Sequence, residues 1–181
     1  MGHAMKSYPK RNGQIGMFLA LLFIPLVSQA KVEASDDHHF IVKHEVVVPL
    51  DTPASYRLLG KPAHWWNSAH TWSGNAKNMS LQLKAGGCFC ELWNGNSVMH
   101  AQVILAQSGS FLRLQGGFGP LQDMAVNAVL TFKLKKEFDG THVEMIYRVS
   151  GNASHKLPSL AAIVDKVLGE QLEGFRKSAN R

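Results

Sequence analysis

Cysteine is almost absent from this 181-residue chain: there are two, Cys88 and Cys90, one residue apart. Two cysteines cannot build the disulfide framework of a small secreted scaffold, so stability has to come from burial of apolar side chains. Recognisable catalytic motifs are missing too. The chain has no nucleophile elbow, no His-Glu-x-x-His metal motif and no phosphate loop closed by Lys-Ser/Thr. No run of Lys and Arg interleaves with aromatics, which excludes the usual nucleic-acid groove. Internal repeats and low-complexity linkers are also lacking, and nothing suggests a second domain.

Acidic residues are missing from the N-terminal stretch as well. The first is Glu33, and before it come Lys6, Lys10 and Arg11. An apolar run from Ile15 to Val27 follows, then Ser28-Gln29-Ala30, with small residues where a signal peptidase cuts. A membrane-spanning helix needs about 20 apolar residues, whereas this run is shorter and broken by Pro25. Residues 1–30 therefore read as a cleaved export signal. The expected protein is periplasmic or secreted and keeps no stable membrane anchor. Of 19 Lys+Arg against 13 Asp+Glu, three cations lie in this segment, which leaves the mature chain at a net +3. A weakly basic soluble surface results. Residues 31–39, with His38-His39, read as a flexible leader.

The mature chain is strand-rich. Phe40 to Val48 is a β-branched run stopped by Pro49, and Asp51-Thr52-Pro53 signals a helix start. Two short helical pieces are expected up to Asn67, parted near Gly60-Lys61-Pro62. From Met79 the apolar period is two, with Asn94-Gly95 as a strong hairpin turn between Cys88–Trp93 and the next strand. Val126 to Leu134 and Val143 to Val149 alternate most clearly. After Pro158 the period changes: Leu160, Ile163, Val164, Val167, Leu168, Leu172 and Phe175 recur at helical spacing. The class is α+β, in the order strand, two short helices, six strands, long helix. One apolar sheet face and one apolar helix stripe must bury each other.

This order resembles the helix-grip fold of the SRPBCC superfamily, related to START lipid-transfer domains and birch-pollen-type allergens. Its local motifs are similar to the polyketide cyclase and heat-shock-protein-90 ATPase activator-like branch. The residues that carry the resemblance are Trp65-Trp66, Gly86-Gly87-Cys88-Phe89-Cys90-Glu91, Gly116 to Gln122, and Thr141 to Gly151. It spans residues 40–178 as a single domain. The resemblance implies a curved antiparallel seven-stranded sheet wrapped around the long C-terminal helix, with an apolar cavity between them. The implied partner is a hydrophobic small molecule, lipid-like or polyketide-like, with no cofactor. Residues expected to line that cavity are Trp65, Trp66, His70, Trp72, Phe89, Phe118, Phe132, Met145, Tyr147, Ile163 and Val167. A chaperone-activator role fits poorly, because an exported protein would not meet a cytosolic ATP-driven chaperone.

Three candidate chemistries remain. Cys88 and Cys90 on a regular strand would lie about 6.6 Å apart, near the upper limit for a disulfide, so a bridge would need a distorted strand. As free thiols they read as small buried apolar residues, with a metal site at Cys88, Cys90 and His100 as a weaker alternative. Glu91 and His100 form the second. A two-residue turn at Asn94-Gly95 pairs Glu91 with Val98 and Phe89 with His100, which makes Glu91 and His100 same-face diagonal neighbours. Facing the cavity they could act as acid and base; facing out they are a surface pair, the expectation favoured on patterning. Third, the three tryptophans Trp65, Trp66 and Trp72 could frame the cavity mouth or plug it, with His70 as a polar contact for a head group. The leading expectation is a non-catalytic carrier or sensor, the alternatives being a cyclase or isomerase and a thiol or metal protein.

Overall fold

The computed structural model describes Met1, Gly2 and residues 31–181; the expected export signal therefore falls, but for its first two residues, outside the described part. Eight strands form one antiparallel sheet. They are β1 (Lys31–Asp36), β2 (His39–Val48), β3 (Met79–Leu81), β4 (Cys88–Trp93), β5 (Asn96–Gln107), β6 (Phe111–Gln115), β7 (Asn127–Glu137) and β8 (Gly140–Ser150). Their spatial order is β1-β2-β8-β7-β6-β5-β4-β3. Among the described residues two α-helices accompany the sheet, α1 (Thr52–Leu59) and α2 (Leu157–Ala179). Among the described residues no helix is long and apolar enough to cross a membrane.

The sheet has one strand more than expected. Residues 31–36, anticipated as a flexible leader, pair with β2 across a turn in which Asp36 Oδ1 accepts from the His38 and His39 backbone N–H groups. This strand has a neighbour on one side only, which is why its mixed composition carries no clear alternation. The second short helical piece is also different: two 3-10 turns, Pro62–His64 and Ser68–His70, replace it. Pro62 lacks the N–H that a continuing α-helix would use. The helix before it starts as expected, with the Asp51 carboxylate accepting from Ala54 N at 2.7 Å and Pro53 in the first turn.

Alternation decides the two faces. Phe40, Val42, Val46 and Val48 of β2, Leu130, Phe132 and Leu134 of β7, and Val143, Met145, Tyr147 and Val149 of β8 all point inward and are buried. Helix α2 lies across β1 and β2 and closes that end of the cup, burying Leu168, Leu172 and Phe175. Two glycines let it approach closely. A Cβ at Gly169 would come within 2.9 Å of the His44 ring, and one at Gly174 would meet the Trp65 carbonyl. Opposite, on the outer face, Lys43 and Lys133 both pair with Glu144, at 2.8 and 2.6 Å.

Register shifts three times, once on β1, where Glu33 is unmatched between Val32–Val42 and Ala34–Ile41, and twice on β5. Phe89 pairs with Ala101 but Cys90 pairs with Met99, so His100 is the extra residue of a bulge. A second shift leaves Ile104 unmatched between Val103–Leu114 and Leu105–Arg113. Bulges bend a strand and sharpen its twist, and these curve the sheet toward α2.

Candidate functional site

The bulge at His100 creates the site. A regular β5 would send His100 and Ala101 to opposite faces; with the extra residue both are buried on the inner face. His100 then lies beside Glu91, Nε2 to Oε2 3.1 Å. Both are almost completely shielded from solvent, at 4% and 0% exposed side chain. The expected surface pair is thus an internal one. Glu91 still pairs with Val98, as the Asn94-Gly95 turn dictates, while the partner of Phe89 is Ala101 rather than His100.

The Glu91 carboxylate is saturated. Besides His100 it accepts from the backbone N–H groups of Trp72, at 3.0 Å, and Ser73, at 2.5 Å. It thereby ties the loop after the tryptophan pair to β4. Burial by itself would raise the Glu91 carboxyl, but the bonds from Ser73, Trp72 and His100 outweigh it and hold the group below its ordinary range. Burial pushes the His100 imidazole down, against the opposing pull of Glu91. The pair is therefore a carboxylate and a neutral ring at neutral pH. Because a carboxylate only accepts, Nε2 carries the hydrogen, and Nδ1 is left as an acceptor with no protein partner among the described residues.

Aromatic rings surround that imidazole. Phe118 stacks on it at 6.3 Å between centroids with 15° between planes, and Phe89 lies 5.5 Å away. Trp66 packs against Phe89 at 5.2 Å and Phe118 at 6.0 Å, and Phe118 meets Tyr147 edge-on at 5.4 Å. The Tyr147 hydroxyl donates to the Gly116 carbonyl and accepts from Phe118 N–H, pinning the loop that carries Phe118. Its burial pushes the phenol well above its ordinary range. Phe118 and Trp66 both sit on irregular segments, but Phe118 alone among these rings is only half-buried. The chain's own rings thus occupy this end of the cup, Phe118 being the least buried of them.

Several expected lining residues go elsewhere. Trp65 is buried against Phe175 and donates from Nε1 to the Leu58 carbonyl, so it plugs rather than frames. Trp66 donates to the His70 carbonyl. His70 itself holds Glu170 of α2 at 2.9 Å, which removes it as a head-group contact. Trp72 contributes its backbone to Glu91 while its side chain is 56% exposed. Ile163 is 61% exposed on the outer side of α2, and Val167 is half-buried on the same helix. Phe89, Phe132, Met145 and Tyr147 do line the inner face.

The cysteines overturn their expectation. Cys88 and Cys90 are joined in a disulfide, with Cα atoms 5.4 Å apart. That is shorter than the spacing of about 6.6 Å in a regular strand, and the pairing of β4 shifts at this point. Alternation puts both on the outer face, half-buried, opposite in direction to His100. A shared metal site for Cys88, Cys90 and His100 is therefore ruled out by geometry. The outer face also holds a feature that sequence reading missed. A cleft of about 700 Å³ there is lined by Ile41, Ile104, Val129, Arg113 and Arg148. Its residues come from five strands, so no local spacing announced it.

An antiparallel curved sheet gripping a long C-terminal helix defines a helix-grip type of α+β fold. Comparison with solved structures agrees. Protein MLL2253 from Mesorhizobium loti superposes with a TM-score of 0.57 at 15% identity, over 78% of this chain and 97% of that one. Protein SA2116 of Staphylococcus aureus gives 0.55 at 12% identity, over 78% and 94%. The di-domain ARO/CYC StfQ of the steffimycin biosynthetic pathway gives 0.53 at 8% identity, over 80% of this chain and 51% of that protein. No sequence-family profile and no curated protein sequence matches the chain. At these identities the likeness establishes the fold.

Proposed function

We propose that this protein binds a hydrophobic small molecule, lipid-like or polyketide-like, at the Phe118 end of the cup. One observation carries the reading. A neutral buried imidazole presents an acceptor nitrogen with no protein hydrogen bond among the described residues, beside aromatic rings of which Phe118 is half-buried on a loop. A largely apolar site with a few oriented polar groups is the usual design for small-molecule recognition. Phe118 swings out, the ligand's apolar body takes its place against Trp66 and Phe89, and a ligand hydroxyl donates to His100 Nδ1. Export is part of the proposal: it rests on the Ile15–Val27 segment, and a disulfide suits an oxidising compartment.

A titration of the mature protein with fatty acids and with polycyclic phenols, followed by tryptophan emission and native mass spectrometry, tests it. Saturable binding at one molecule per chain, weakened by His100→Gln for the phenols, is expected. Absence of saturable binding in both ligand classes overturns it.

The inward placement of Glu91 and His100 favours a second reading, a cyclase or isomerase in which His100 Nδ1 takes a proton and Glu91 steadies the imidazolium. In that case His100→Gln abolishes turnover of a poly-β-keto substrate mimic while leaving binding of its apolar portion intact.

A further inference from the structure

The geometry points to Cys88–Cys90 as a reversible thiol–disulfide exchange site on the outer face of the sheet, reacting with dithiols. A disulfide that stabilises a fold does so mainly by closing a long loop in the unfolded chain. This one encloses a single residue, Phe89, so its effect on the unfolded chain is at the minimum. It also holds β4 contracted, since its Cα atoms are 5.4 Å apart where an unbridged strand would place them about 6.6 Å apart. The bond therefore does little as a staple.

Its surroundings leave it open to attack. Both cysteines are partly accessible, and the residues beside them across the ladder, Ser80, Met99 and Gln102, are exposed. Leu92, one position further along the same face, is 57% exposed, and Met99 is 60% exposed. Exposed apolar side chains next to a disulfide give a dithiol-bearing partner something to rest on.

The chemistry balances within the pair and its reductant. A thiolate of the dithiol attacks one cysteine sulfur, the Cys88–Cys90 bond breaks, and the other cysteine leaves as a thiolate that takes up a proton. The second thiol of the reductant then closes its own disulfide on the mixed intermediate and releases the first cysteine. Two electrons and two protons pass to the protein, and the dithiol is oxidised. The reverse reaction re-forms the bond.

Reduction reaches the inner face through one residue. Phe89 lies between the cysteines, points the other way, and touches His100, Trp66 and Phe118. Relaxing β4 to regular spacing moves Phe89 along the strand at the very point where the β5 bulge seats His100.

The test is a titration of the native full-length protein in buffers of graded oxidised-to-reduced dithiothreitol, quenched with iodoacetamide and weighed. Expected is a reversible gain of two alkyl groups per chain, following the buffer ratio without denaturant and equilibrating within minutes to hours. The thermal midpoint should be nearly unchanged by reduction, while the His100 ring proton resonances move. Thiols that become reactive only after unfolding, a collapse of the fold on reduction, or two free thiols in protein purified without reductant would each overturn the assignment.

Discussion

The two halves of the sheet solve the same burial problem in different ways. In β2, β8 and β7, ten and eleven residues pair without a single register shift, and the inner face is apolar apart chiefly from His44, whose ring pairs with Asp165 of α2 at 3.0 Å. The outer face of that half carries a ladder of ion pairs centred on Glu144. In β3 to β6 the strands are mostly shorter, the register slips twice, and a carboxylate and an imidazole are buried where hydrocarbon would cost less. The outer face there carries a disulfide and exposed Leu92 and Met99. Departures from regularity that are held in place by surrounding contacts concentrate at functional sites. The regular half is the frame, and the irregular half is where chemistry can be expected.

The largest effect should come from breaking the frame. Phe132→Ala removes a fully buried ring from β7 and should cost about 3–5 kcal/mol in urea unfolding. Phe118→Ala, on the half-buried loop ring, should cost well under half as much; equal costs would mean the two halves are not distinct.

An intermediate effect should come from the buried pair. Glu91→Ala leaves the Trp72 and Ser73 N–H groups without their acceptor and should cost about 2–4 kcal/mol by the same measurement. Acid titration gives the sign independently. The folded-state imidazole of His100 is shifted below 6.5, so the unfolded chain takes up that proton first, and stability declines as pH falls through and below 6.5. Glu91 is shifted below 4.5, so its contribution is complete above that value and is lost at lower pH still. His100→Gln should flatten the decline between these two regions in a pH series of melting curves; an unaltered profile would mean that His100 is not the group responsible.

The smallest effect belongs to the outer ion ladder. Lys133→Ala breaks a half-exposed pair with Glu144 and should change stability by about 0–1 kcal/mol, an effect that fades with added salt.

The frame was legible in the sequence because its signals are local. Alternation fixed the inner faces of β7 and β8, and Asp51 and Pro53 marked the start of α1. The irregular half was legible only up to the bulge, where the Asn94-Gly95 turn fixed Glu91 opposite Val98. Past Met99, one unpaired residue reverses the parity as far as the second bulge at Ile104, and both His100 and Ala101 turn inward. Parity also hid the bridge: regular strand spacing argued against it, and the contraction of β4 appears only once the strands are assembled. A trace was present in Met99-His100-Ala101, where no strict apolar–polar alternation can be drawn.

The glycines of α2 set one more property of the cup. A glycine inside a helix costs about 1 kcal/mol relative to alanine, and this helix contains two, each at a place where backbone or ring presses against it. The clearance between helix and sheet is consequently gauged by the His44 ring at 169 and by the Trp65 main chain at 174. Substitutions in the apolar lining will therefore alter the shape of the interior while leaving its width alone, whereas a single methyl at 174 would jack the helix away from Trp65 and widen the whole interior at once.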